Sequence, residues 1–153
     1  MNPIAILKRG GAAGLAAAVL VLCAGTAQAG KVEGVWWSNV TRVDCATGAA
    51  QLSFTGMQVY HQGGTLTDTN SGNPASRGPG MGTWKREGQD VHTRFRFMLF
   101  NGGTFTGTAV VTRVITLTPD GDSATGRGTS EVYAPDGTLV ATSCTRDVST
   151  RVN

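Results

Sequence analysis

The chain reads as all-β: about eight antiparallel strands in an up-and-down barrel, with a two-sheet sandwich as the alternative. Three observations give this reading. Apolar and polar residues alternate with a period of two, most cleanly over 104–118, where threonines hold one face and Phe105, Ala109, Val111, Ile115 and Leu117 the other. Turn signals at Asn101-Gly102-Gly103, Asp120-Gly121-Asp122 and Asp136-Gly137 cut the 82–147 stretch into a meander. After residue 29, no segment keeps a helical period over three turns.

Residues 1–29 read as a signal peptide. Lys8 and Arg9 precede an apolar run too short to span a bilayer, and Ala27-Gln28-Ala29 has the small-x-small form of a cleavage site. Cys23 follows the bulky Leu22 rather than a small residue, so lipid attachment is not expected. The mature chain, 30–153, is expected to be a single domain of about 124 residues. It is expected to be exported to a periplasm or the extracellular space, and the Ala-rich leader points to a bacterial source.

The strands follow in order. The first, 32–43, is rich in Val, Trp and Thr. The second, 51–61, puts Leu52, Phe54, Gly56, Gln58 and Tyr60 on one face and Met57 and Val59 on the other. A short third, 65–69, follows Gly63-Gly64. The breaker-rich stretch 70–80 has no periodicity and is a long loop, either a lid or binding loop or a flexible surface excursion. Strands over 81–86 and 91–100 come next. In the latter Val91, Thr93, Phe95, Phe97 and Leu99 share a face, which leaves His92, Arg94 and Arg96 outside. Strands at 104–118, 123–133 and 139–148 complete the set. In the 123–133 strand, Ala124, Gly126, Gly128, Ser130 and Val132 give one face mostly small residues, a sign of a tapering interior or of close approach by a neighbouring backbone.

Of the three cysteines, Cys23 leaves with the leader, so Cys45 and Cys144 form an even pair in an oxidising compartment. A Cys45–Cys144 disulfide would close a loop of about 100 residues, worth up to ~4–5 kcal/mol in the chain-entropy model. Placing the two cysteines opposite each other pairs the first strand with the last, closes the barrel and sets Arg42 against Asp147 as a cross-strand ion pair. The net charge of +3 includes Lys8 and Arg9; without these two it is +1. A nucleic-acid footprint is therefore not indicated, and no membrane contact is expected after cleavage. Two distant histidines and the lack of paired Cys or His spacing argue against a metal site or a metal cofactor.

Gly34-Val35-Trp36 resembles the Gly-x-Trp signature that opens the first strand of calycin barrels, the superfamily of lipocalins, fatty-acid-binding proteins and avidins. Gly82-Thr83-Trp84 repeats the pattern. The resemblance implies an eight-stranded barrel that takes small apolar ligands. It also implies an arginine from the end of the barrel over Trp36, a part open to Arg146 or Arg151. There is no Thr-Asp-Tyr loop motif and no room for a C-terminal helix. Gly103 to Thr108 is locally similar to avidins but lies later in the chain, and no biotin-binding residues carry over.

Candidate ligand-binding residues are Arg113, Trp36, Tyr60, Met57 and Phe105. Arg113 stands out because it falls on the apolar face between Val111 and Ile115; an interior arginine must be paired or face water. A bulge at Val110-Val111 would turn it outward instead. Glu131 and Asp68 are possible general bases, but each stands on an otherwise ordinary strand and is read as a solvated-face residue or a turn partner. Neither Gly-x-Ser-x-Gly nor another catalytic signature is present, and no catalytic residue is assigned. The leading expectation is an exported barrel binding an apolar or carboxylate-bearing molecule. The competing ones are a packed, non-catalytic interaction barrel and an isomerase- or cyclase-type enzyme on the same scaffold. A cavity of ~300 Å³ or more with Arg113 inward separates the ligand hypotheses from the packed barrel.

Overall fold

Period-two alternation sends every second side chain through one wall, so the same pattern that makes these strands also decides what fills their interior. The computed structural model describes residues 31–153 and contains eight strands: β1 Gly34–Val43, β2 Ala50–Tyr60, β3 Thr65–Asn70, β4 Gly80–Glu87, β5 Asp90–Asn101, β6 Thr104–Leu117, β7 Ser123–Tyr133 and β8 Leu139–Val152. Each pairs antiparallel with the next, and β8 returns to β1, giving a closed barrel. Closure removes the unpaired edges that an open sheet of this kind would present. The expected leader and Cys23 lie outside the described residues.

The element boundaries match the alternation closely; β8 alone runs well past expectation, to Val152 rather than residue 148. Its extra length carries Arg151 to the far end of the barrel. There the guanidinium sits 4.6 Å over the Trp36 ring. It donates to the carbonyls of Glu33 at 2.8 Å, Gly121 at 3.0 Å and Lys31. Trp36 is 1% exposed and its Nε1 donates to Val32 O at 2.8 Å. Gly34 makes this possible. Its φ is +128°, and a Cβ there would lie 2.9 Å from Arg151 Nη1. Of the two arginines open to this part, Arg151 fills it. Arg146 points outward and is exposed. Val32, Trp36, Tyr60, Leu66, Val91, Phe95, Ile115, Leu117 and Ala124 pack above this floor as the core.

The opposite end is held by the disulfide. Cys45 and Cys144 are bonded, with Cα atoms 5.2 Å apart. The expected register is corrected by two residues: Val43, not Cys45, lies opposite Cys144, so Arg42 faces Thr145 and Asp147 faces Val40. Cys45 has already left β1 for the turn, where Asp44 caps the backbone N–H groups of Ala46 and Thr47. The bridge therefore runs diagonally. The proposed Arg42–Asp147 pair does not form, because Asp147 is committed to the interior.

Candidate functional site

No bulge interrupts β6 at Val110-Val111. Its ladder with β5 runs without a shift from Thr116 to Gly107, and its pairing with β7 is equally continuous. Arg113 accordingly keeps the inward direction of Val111 and Ile115. It is buried, and its Nη2 donates to Asp147 Oδ2 at 2.6 Å across the barrel. Two glycines of the small-residue face make the room. A Cβ on Gly128 would lie 2.5 Å from Arg113 Cγ, and one on Gly126 would lie 2.5 Å from Asp147 Oδ1.

From this pair a chain of polar contacts crosses the interior. Ser149 Oγ donates to Asp147 Oδ2 at 3.0 Å, Ser149 and Ser38 hydroxyls meet at 2.6 Å, and Ser38 donates to Gln58 Oε1 at 2.6 Å. Gln58 Nε2 then donates to Asp68 Oδ2 at 2.8 Å, and Asp68 Oδ1 accepts from Arg77 Nη2 at 2.7 Å. Strands β6, β8, β1, β2 and β3 each contribute, and the last member comes from the loop between β3 and β4. The belt holds two cations and two carboxylates, one ion pair at each end. Buried charges persist only when matched in this way. Burial favours loss of the Arg113 proton, but the Tyr60 and Asp147 oxygens outweigh it and hold the guanidinium above its usual range.

On the mouth side of the belt lies a cavity of ≈ 330 Å³. Its walls are largely apolar, with Val40, Phe54, Phe95, Phe97, Leu99 and Val111 among them, while Gln58, Asp68, Arg77 and Arg113 bring polar atoms to it. That volume is at the lower end of the ~300–1,000 Å³ usual for small-molecule pockets.

Of the five candidate residues, Arg113 alone lines this cavity. Trp36 is inward but belongs to the closed end under Arg151. Tyr60 is inward too, packed edge-on against Trp84 with ring centroids 6.0 Å apart. Burial pushes its phenol up to about 12. Met57 is corrected: it points out of the wall, is 37% exposed, and shares a shallow outer recess with Trp37. Its place follows from parity, since Gln58 and Tyr60 on either side of the next position point in. Phe105 is also corrected. It lies beyond the cavity near the β5–β6 hairpin, is 43% exposed, and meets Phe100 edge-on. A register shift between Leu99 and Phe100 takes that end of the ladder out of phase with the wall below.

Asp68 is a further correction, since it is an interior carboxylate rather than a solvated-face residue or a turn partner. Parity carries the signal that finds it: on β3 it stands two residues from Leu66, and both point inward. Ser38 and Gln58 were open to the same reading through Trp36 and Tyr60. Arg77 had no such signal, because its segment has no period. Glu131 does lie outside, accepting a hydrogen bond from Tyr133 at 2.8 Å, and Arg94 and Arg96 are exposed on the outer wall. Among the described residues, no three His, Cys, Asp or Glu side chains gather where they could hold a metal ion.

Fold and interior together define a closed eight-stranded antiparallel barrel with a part-polar internal cavity. No family model matches the chain, and no curated protein matches it in sequence. Among solved structures, it is similar to the crystal structure of Rv2717c from M. tuberculosis, with a TM-score of 0.39 and 14% identity over 79% of this chain and 92% of that one.

Proposed function

We propose that the protein is an exported binding barrel that takes one small, mainly apolar molecule carrying a carboxylate or similar acceptor group. The observation that carries this reading is the ≈ 330 Å³ cavity, apolar in its walls and reached by arginines at its base. A barrel packed solid with Phe and Val would leave no such volume. An enzyme is less well supported, because each interior carboxylate is already engaged in an ion pair with an arginine. The disulfide supports an oxidising compartment and hence export. Gly34, Trp36 and the stacked Arg151 support placing the barrel with the calycin type, whose habit is small-ligand binding.

Native mass spectrometry of protein purified from the periplasm of its source tests this reading. The expected spectrum shows the chain, beginning near Gly30, plus a small molecule released intact on denaturation. A bare chain that also takes up no carboxylate or neutral amphiphile on incubation contradicts it. Chemical turnover of the released molecule would favour the enzyme.

A further inference from the structure

The interior belt ends in two arginines, and they are not equivalent. Arg113 belongs to the wall, is committed to Asp147, and has no fully enclosed nitrogen without a partner. Arg77 comes from the loop. Its side chain is only 9% exposed, yet Nη2 alone is satisfied, by Asp68 Oδ1. Nε and Nη1 are enclosed and have no hydrogen-bond partner among the described residues. The guanidinium is clamped 3.9 Å over the Phe97 ring, and the side chain lines the cavity. Desolvated donors of this kind are costly to leave unmatched, and an anionic oxygen is the partner that satisfies them best. The lining contains Arg42, Arg77 and Arg113 against Asp68 alone, and Asp147 behind Arg113 still leaves an excess of one positive charge.

The loop is also built to deliver this side chain. Arg77 bridges to Leu99, Gly78 N donates to Met98 O at 2.9 Å, and Phe100 N donates to Ser76 O at 3.0 Å, so the segment lies along β5 as a short extra edge. At its start the segment is also tied to β2, where Ser71 N donates to Thr55 O at 2.8 Å and Thr55 N to Ser71 Oγ at 3.1 Å, but these bonds are few against the dozen or so residues of pairing for β5 itself on β6. A segment held so lightly can leave and return without opening the wall.

We propose that Arg77, not Arg113, is the residue that recognises the ligand, by donating one of its unmatched N–H groups, at Nε or Nη1, to an anionic carboxylate-type oxygen, and that ligand binding fastens the 71–79 loop to the barrel. This rests on the cavity being a ligand site. Arg113 and Asp147 then hold the wall, and selection for an anionic head resides in the loop. Because the charge of Arg77 is half-matched by Asp68, the head group must approach from the cavity side, with its apolar part against Phe97, Leu99 and Val111.

Calorimetric titration of the mature protein with octanoate and with octanol tests this, since the pair shares a chain and differs in the charged head. Wild type is expected to bind octanoate roughly 10–100-fold more tightly than octanol. Arg77→Gln is expected to erase that preference while still binding octanol, and Arg77→Lys to restore only part of it. Retention of the preference in both variants overturns the assignment while leaving the cavity reading intact; binding of neither probe by wild type overturns both. Hydrogen exchange on wild type needs no variant to fold. Saturating octanoate is expected to slow exchange of the Gly78 and Phe100 amides by about tenfold or more, and unchanged rates there overturn the fastening of the loop.

Discussion

Arg113 and Asp147 are tolerated inside the barrel only because each is there for the other. Removing one partner strands a charge with almost no solvent contact, so Arg113→Met is expected to cost about 3–5 kcal/mol in urea unfolding. Replacing both, as Arg113→Met with Asp147→Leu, is expected to cost less than either single change. Gly126→Ala tests the space the pair needs. The new methyl would press on Asp147 and Ile115, and an expected loss of about 1–3 kcal/mol follows from overpacking. Tyr60 adds a pH dependence with a definite sign. Its folded pKa of about 12 lies above the unfolded value of 10.0, so its contribution is intact below pH 10 and is lost as pH rises toward 12. The loss is at most about 1.4 kcal/mol per pH unit. Tyr60→Phe is expected to flatten the fall in unfolding free energy between pH 10 and 12; a fall as steep as wild type contradicts this.

At the scale of elements, the disulfide ties the mouth end of β8 to the turn after β1 and spans a sequence separation of 99. Cys45→Ser with Cys144→Ser is expected to lower unfolding free energy by about 2–5 kcal/mol, measured against the oxidised wild type. Strands and faces were legible in the sequence because alternation is local: the inward positions of Phe95, Val111 and Ile115 need only their own neighbours. The register of β1 on β8 was less so. The cysteines bring the right strands together, but a bridge can be diagonal, and the two-residue offset keeps every side chain on its expected face. Parity therefore could not reveal it. Arg77 was illegible for a different reason: an aperiodic loop carries no statement of direction, and its side chain is placed by long-range contacts with Asp68 and Phe97. Asp68 is legible only through its neighbours, because a charged residue on a short strand looks solvated until Leu66, two residues away, is seen to point inward.

The whole molecule divides into a sealed end and an open one. Trp36, capped by Arg151, and the apolar cluster above it fill the first, while the polar belt forms a partition beyond which the packing opens into a cavity. That division is what a binding barrel requires: one end supplies stability and the other supplies space. The most direct measurement of it is a methyl and amide NMR titration of the 30–153 protein with octanoate. The expected result is a set of shifts at Val40, Leu99, Val111 and Val132, which surround the cavity, with Trp37 and Met57 on the outer wall unchanged. Shifts confined to Trp37 and Met57, or none at saturation of the probe's solubility, would contradict an interior binding site.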